Sequence, residues 1–229
     1  MSLAWAAADS IDDVLDRMDA IDDALPHDDG VAYFNRMYRQ VTRYVDAAVD
    51  KGFFQAGDFL ERLDVHFGNL FFAAYAADVE GRPVPPAWAP LFEARRKPAT
   101  HPLQFALAGM NAHICHDLPF AVVTTCREAG VEPDDGTPEH HDFTLTNEVL
   151  AVAYPTVKEW FSTGVVAVLD EAAGTVDDAL AQWAIETARA AAWGVARVIH
   201  GLHRTPRLLR LFEDGHRATV AMTSRGMLV

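Results

Sequence analysis

Residues 103–129 read LQFALAGMNAHICHDLPFAVVTTCREA, and the fold turns on how this stretch is read. Phe105, Leu107, Met110 and Ile114 spread apolar groups around most of a helix circumference, which is the pattern of a helix central to a bundle. The spacing predicts one helix over 103–129, kinked or divided at Pro119. Asn111, His113, His116 and Asp117 are set into this apolar run. Buried polar groups need partners and a buried unpaired charge is costly, so the cluster marks a place where chemistry can occur.

Working outward, nearly every segment carries helical period. Ile11, Val14, Leu15, Met18, Ile21 and Leu25 form one stripe behind an Asp9/Ser10 cap, closed by Pro26. Val31, Phe34, Tyr38, Val41, Val45 and Val49 form a second, ending near Gly52, and Phe59 to Tyr75 a third. Residues 81–102 hold six prolines, with Trp88 and Phe92 as anchors of an ordered connection containing one short helix. After 129, a loop over 132–141 leads to a fifth helix (143–172) capped by Asp142 and interrupted at Pro155 and Gly164. A sixth, capped at Thr175 or Asp178, runs to about His203, and Pro206 opens a short seventh. Without an alternating strand pattern or internal repeat, the expected fold is an all-α, single-domain bundle of six or seven helices spanning residues 1–229.

The 229 residues are enough for one packed core, and half of them are apolar, which excludes disorder. A formal charge of −14 with no basic stripe excludes a nucleic-acid phosphate partner. No apolar run suits a membrane span, and the N-terminus lacks a basic segment of the signal-peptide kind, so a cytoplasmic location is expected. Cys115 and Cys126, if on one helix, stand roughly 16 Å apart, too far for a disulfide. The oligomeric state is left open.

On an α-helix His113, His116 and Asp117 share a face. As metal ligands they suit Zn, Fe or Mn; as a metal-free pair, His113 and Asp117 suit acid–base chemistry; a structural hydrogen-bond network is the bland alternative. Asn111 shares a stripe with Gln104, and that stripe either ties the helix to neighbouring backbone or contributes to substrate binding. Asp64, an acid in the apolar third helix, is a second-helix base or ligand, or an ordinary boundary residue. Arg189 clamps an anionic substrate, neutralises Asp64 or Asp117, or pairs with Glu186. Trp193 packs in the core or stacks on a ligand.

The run from Gln104 to Ile114 followed by Asp117-Leu118-Pro119 resembles an actinobacterial family of domains of unknown function with a Gly-Met-Asn-Ala-His-Ile-x-x-Asp-Leu-Pro core. Supporting pieces are Phe34…Tyr38…Val41-Thr42, Leu63-Asp64…Phe67 and Ala188-Arg189…Ala192-Trp193. The resemblance implies roles for Asn111, His113 and Asp117, and more loosely for Asp64, Arg189 and Trp193. His116 falls at an open position of the motif, which favours a His113/Asp117 pair over a three-ligand metal site. The expectation is an enzyme acting on a small molecule in a pocket between the third, fourth and sixth helices; the competing one is a non-catalytic binder or helical interaction module.

Overall fold

The computed structural model describes residues 7–97, 99–163 and 185–229. The fold is all-α, with no strand among the described residues. In chain order the helices are α1 (Ile11–Ala24), α2 (Gly30–Asp50), α3 (Gly57–Val79), α4 (Ala89–Ala94) and α5 (Pro102–Met110). A π-helical turn (Asn111–Asp117) joins α5 to α6 (Leu118–Ala129). Then follow α7 (Pro138–Thr163), α8 (Ile185–Gly201), a 3-10 turn (Leu202–Arg204) and α9 (Pro206–Met227).

Local chemistry sets most boundaries. Ser10 caps α1, its hydroxyl accepting from the Asp13 N–H at 3.1 Å. Asp29 caps α2 through the Val31 N–H, while Arg95, just past α4, grips the same carboxylate from Nε and reaches Asp78 near the end of α3 with Nη1. One buried ionic cluster therefore clamps three helix ends. His101 and Gln104 form a reciprocal cap at the start of α5. Gly130 ends α6 at φ 69°, the left-handed conformation that favours glycine.

The fourth helix of the sequence reading is continuous in direction but not in register. Its break is the π-helical turn, N-terminal to Pro119, in which the Leu118 N–H reaches five residues back to the His113 carbonyl. Pro119 has no N–H to offer the preceding turn, so its carbonyls need other donors. His216 of α9 supplies one, donating from Nε2 to the Cys115 carbonyl at 2.7 Å.

Three expectations are corrected. Asp142 does not cap its own helix, which begins at Pro138; it is fully buried inside α7 and accepts the Ala56 N–H that opens α3. His140 and His141 accordingly sit in the first turns of α7. The seventh helix is not short, because α9 runs 22 residues and packs against α5 and the π-turn. Gly164, the expected helical residues after Thr163, and the Thr175/Asp178 cap lie outside the described residues. Cys115 and Cys126 are both free thiols.

The α5–π–α6 rod is the centre of the bundle, touched by α2, α3, α8 and α9. α2 approaches α5 closely. A Cβ on Gly109 would collide with the Phe34 ring, and one on Gly30 with the Phe105 ring. Two glycines, one on each helix, thus admit each other's phenylalanine and bring the backbones together.

Candidate functional site

The centre of the site is Asp117, which is 2% exposed. Its Oδ2 accepts from Trp88 Nε1 at 2.9 Å and from His113 Nδ1 at 3.1 Å, and its Oδ1 accepts from His116 Nδ1 at 2.7 Å. Burial pushes the carboxyl pKa up, but the hydrogen bonds from the two imidazoles outweigh it and hold the group below the usual carboxylate range. An ionised carboxylate only accepts, so both imidazoles carry their proton on Nδ1. Neither Nε2 finds a partner among the described residues.

His113 is 2% exposed and enclosed by aromatic rings. Phe67 stacks on the imidazole at 3.4 Å with 7° between planes, and Tyr38 approaches edge-on at 4.3 Å. Burial pushes the His113 pKa down, only partly opposed by Asp117, so the ring is neutral at neutral pH.

His113 forms part of the wall of a cavity of about 120 Å³ enclosed by α2, α3, the π-turn, α7 and α8. The wall is mainly aliphatic and aromatic, with a short list of polar groups: Tyr38 and Thr42 from α2, Asp64 from α3, His113, Thr146 and Tyr154 from α7 and Arg189 from α8. Thr146 donates to its own helix, at the Asp142 carbonyl. By contrast Asp64 Oδ2 and His113 Nε2 are buried with no hydrogen-bond partner among the described residues, and the Tyr38 and Thr42 hydroxyls, one turn apart on α2, have none beyond each other. Native interiors rarely leave one such atom unsatisfied, and two on one cavity, beside a hydroxyl pair, call for an occupant.

The charges around the cavity are tuned by burial. The Asp64 carboxyl is pushed up to about 7 by desolvation, with Arg189 opposing and Asp46 adding to the rise. The Arg189 guanidinium, also desolvated, is lowered to about 10 with Asp64 supporting its charge. The Tyr38 hydroxyl is raised well above its ordinary value by burial and then by the Asp64 charge, so it is a donor at all relevant pH. Cys115, raised by burial to about 11, is not a thiolate nucleophile.

The residues singled out in the sequence separate cleanly. His113, Asp64 and Arg189 come together on the cavity, and Asp117 stands behind His113. His116 does not line the cavity; it sits on the other oxygen of Asp117, against Phe120. Because both Asp117 oxygens accept from N–H groups, His113, His116 and Asp117 do not converge on one ion, and no cluster of three metal-type ligands occurs among the described residues. Asn111 does not line the cavity: its Nδ2 donates to the Val220 carbonyl and to Ser224 Oγ, both on α9, while Gln104 ties to the Met227 and Val229 carbonyls. Trp193 does not line it either, packing on Phe143 at 4.8 Å and on His140, with its Nε1 buried and without a partner among the described residues. Arg189 does not pair with the exposed Glu186, but donates to Asn147 Oδ1 and the Phe143 carbonyl.

Three participants escaped the sequence reading. Trp88 was read only as an anchor, although a fully buried indole needs an acceptor for its N–H. Tyr38 and Thr42 looked like ordinary members of a helix face; the available signal was two hydroxyls at i, i+4 in an otherwise apolar stripe.

The chain belongs, over residues 11–229, to DUF5995, a family of unknown function. No curated protein and no solved structure matches it. The resemblance carried by residues 109–119 holds at that level.

Proposed function

We propose that this DUF5995 protein is an enzyme that applies general acid–base catalysis to a small molecule held in the cavity between α2, α3, the π-turn, α7 and α8. One observation carries the reading: a neutral, buried imidazole, oriented by an ionised aspartate, keeps an unpartnered Nε2 at the wall of a cavity. In the proposed mechanism Asp117 fixes the Nδ1–H tautomer of His113 and stabilises the imidazolium that forms when Nε2 accepts a proton. Trp88 and His116 hold Asp117 in place. Tyr38, locked in its protonated form, donates to the oxygen on which charge develops, and Asp64, titrating near neutrality, returns a proton. The Gly-Met-Asn-Ala-His-Ile-x-x-Asp-Leu-Pro segment carries the site in this reading.

A panel of small apolar esters and carbonyl compounds, followed by NMR in D2O, detects both hydrolysis and proton exchange. Turnover by the wild type that falls about 10²-fold or more in both His113→Gln and Asp117→Asn is the expected result. Unchanged turnover in either variant would sink the catalytic role. The mechanism uses no metal: untagged protein is expected to show no rise in Tm on addition of Zn, Fe or Mn, and a stoichiometric metal restoring activity would replace it with the metal-dependent version.

A second reading, a non-catalytic small-molecule carrier, is favoured by the Phe67 ring lying flat on the imidazole and closing one of its faces. It requires ligand binding by both variants and no turnover by the wild type.

A further inference from the structure

Charge decides what the cavity can hold. Arg189 is only 8% exposed and forms no ion pair among the described residues. Its Nε donates to Asn147 Oδ1 at 2.9 Å and its Nη2 to the Phe143 carbonyl at 2.7 Å, both neutral acceptors, and the Phe143 ring lies 4.4 Å beneath the guanidinium. Nη1 has no acceptor among the described residues. A guanidinium keeps its charge throughout the neutral range, whereas a carboxyl can take up a proton, so the permanent charge facing the cavity is positive. A cationic ligand would add a second buried positive charge beside it. An anionic one would cancel it, with Asp64 becoming neutral to avoid a like charge.

We infer that the cavity takes a small monocarboxylate with an apolar body, its carboxylate on Arg189 and its body against Phe34, Leu60, Leu63 and Leu150, with Asp64 in its neutral acid form. At about 120 Å³ the cavity is smaller than one of about 150 Å³ that accepts benzene, so the apolar body is at most one ring or a short chain. Tyr38 and Thr42 offer hydroxyls to the second carboxylate oxygen or to a substituent. The inference rests on the small-molecule reading above but not on the chemistry assigned to His113.

Binding is then coupled to uptake of one proton by Asp64. The titratable and charged groups facing Asp64 are Tyr38 and Asp46 from α2, His113 from the π-turn, Tyr154 from α7 and Arg189 from α8. α1 and α6 meet α3 elsewhere, through Val14 at Gly68 and Glu128 at His66. Of the described groups on the cavity, Asp64 titrates near 7, while Tyr38 is held protonated and burial lowers the pKa of His113.

Calorimetric titration of the full chain with benzoate, benzyl alcohol and benzylamine tests the inference, since the three share one ring and differ in charge. Benzoate is expected to bind at least about tenfold more tightly than either other probe at pH 6, the equivalent of one favourable charge contact. Its affinity should fall about tenfold by pH 8, the limit for one coupled proton. Asp64→Asn should flatten that pH dependence, and Arg189→Met should abolish the preference for benzoate. Alcohol or amine binding as tightly as benzoate overturns the carboxylate assignment and leaves the acid–base reading standing. So does a benzoate preference that survives Arg189→Met, or a wild-type affinity independent of pH. Failure of all three probes to bind overturns the assignment and the small-molecule reading together.

Discussion

Asp64 is the residue whose ionisation the fold opposes most visibly at neutral pH. Its carboxyl, raised from the usual range to about 7, binds a proton more tightly in the folded chain than in the unfolded one. That contribution to stability is complete below about pH 4 and is lost as pH rises through 7. Asp64→Asn removes the titration while keeping the shape. Urea unfolding at pH 5 and pH 8 is therefore expected to show the variant gaining on the wild type by about 2–3 kcal/mol at the higher pH. An identical difference at both pH values would mean that Asp64 is fully solvated. Asp117 behaves oppositely: burial alone would raise it, yet two imidazoles and an indole satisfy its oxygens, so it stays charged and orients His113. Two carboxylates on neighbouring helices are thereby driven apart in acidity by their surroundings, the arrangement that separates acid and base roles.

At the scale of elements, the π-turn does what a regular helix would not. The i, i+4 pairing of His113 with Asp117 was legible in the sequence because it survives in the wider turn. The sequence put His116 and Asp117 on one face as possible ligands of a shared ion, but not their direct hydrogen bond, since adjacent residues on a regular α-helix point about 100° apart. Register also explains Asn111 and Gln104, which turn to α9 and anchor the rod from the side away from the cavity. Gly109 is required by the α2–α5 approach. Gly109→Ala must displace the Phe34 ring, which touches Trp88 and His113 edge-on. Overpacking of this kind is expected to lower stability by about 1–3 kcal/mol, read by denaturant midpoint, despite the higher helix propensity of alanine. A gain in stability would show that the two helices do not approach as closely as drawn. The capping of α3 by Asp142 was illegible for a related reason: an Asp near a helix start predicts a local cap, and nothing in the flanking residues says that its carboxylate serves another helix 86 residues away.

Taken as a whole, the molecule spends stability on a void. An optimally packed bundle would fill a cavity of about 120 Å³ and would not line it with unsatisfied carboxyl and imidazole atoms. Ala153, buried on α7 at the cavity wall, is a place to reverse that choice. Ala153→Leu is expected to hold or raise the unfolding free energy, by up to about 1–2 kcal/mol, while abolishing binding of benzoate. Retained binding would separate the cavity from the ligand site. The chain carries a formal charge of −14, and among the described residues no helix is long and apolar enough to cross a membrane.

The division between sequence and structure follows from the range of the forces involved. Apolar period, capping residues and prolines act over one or two turns, so the all-α fold, most helix positions and the His113–Asp117 pair could be read directly from the chain. Polar groups isolated in apolar runs pointed in the same way to Asp64 and Arg189. Which side chains would finally share one space depends on how five helix faces meet, through contacts such as Gly109 on Phe34 and Asp142 on Ala56. Only the tertiary structure decided that His113, Tyr38, Thr42, Asp64 and Arg189 border one cavity while Asn111, His116 and Trp193 do not, because burial and satisfaction of a polar atom are set by neighbours distant in the chain.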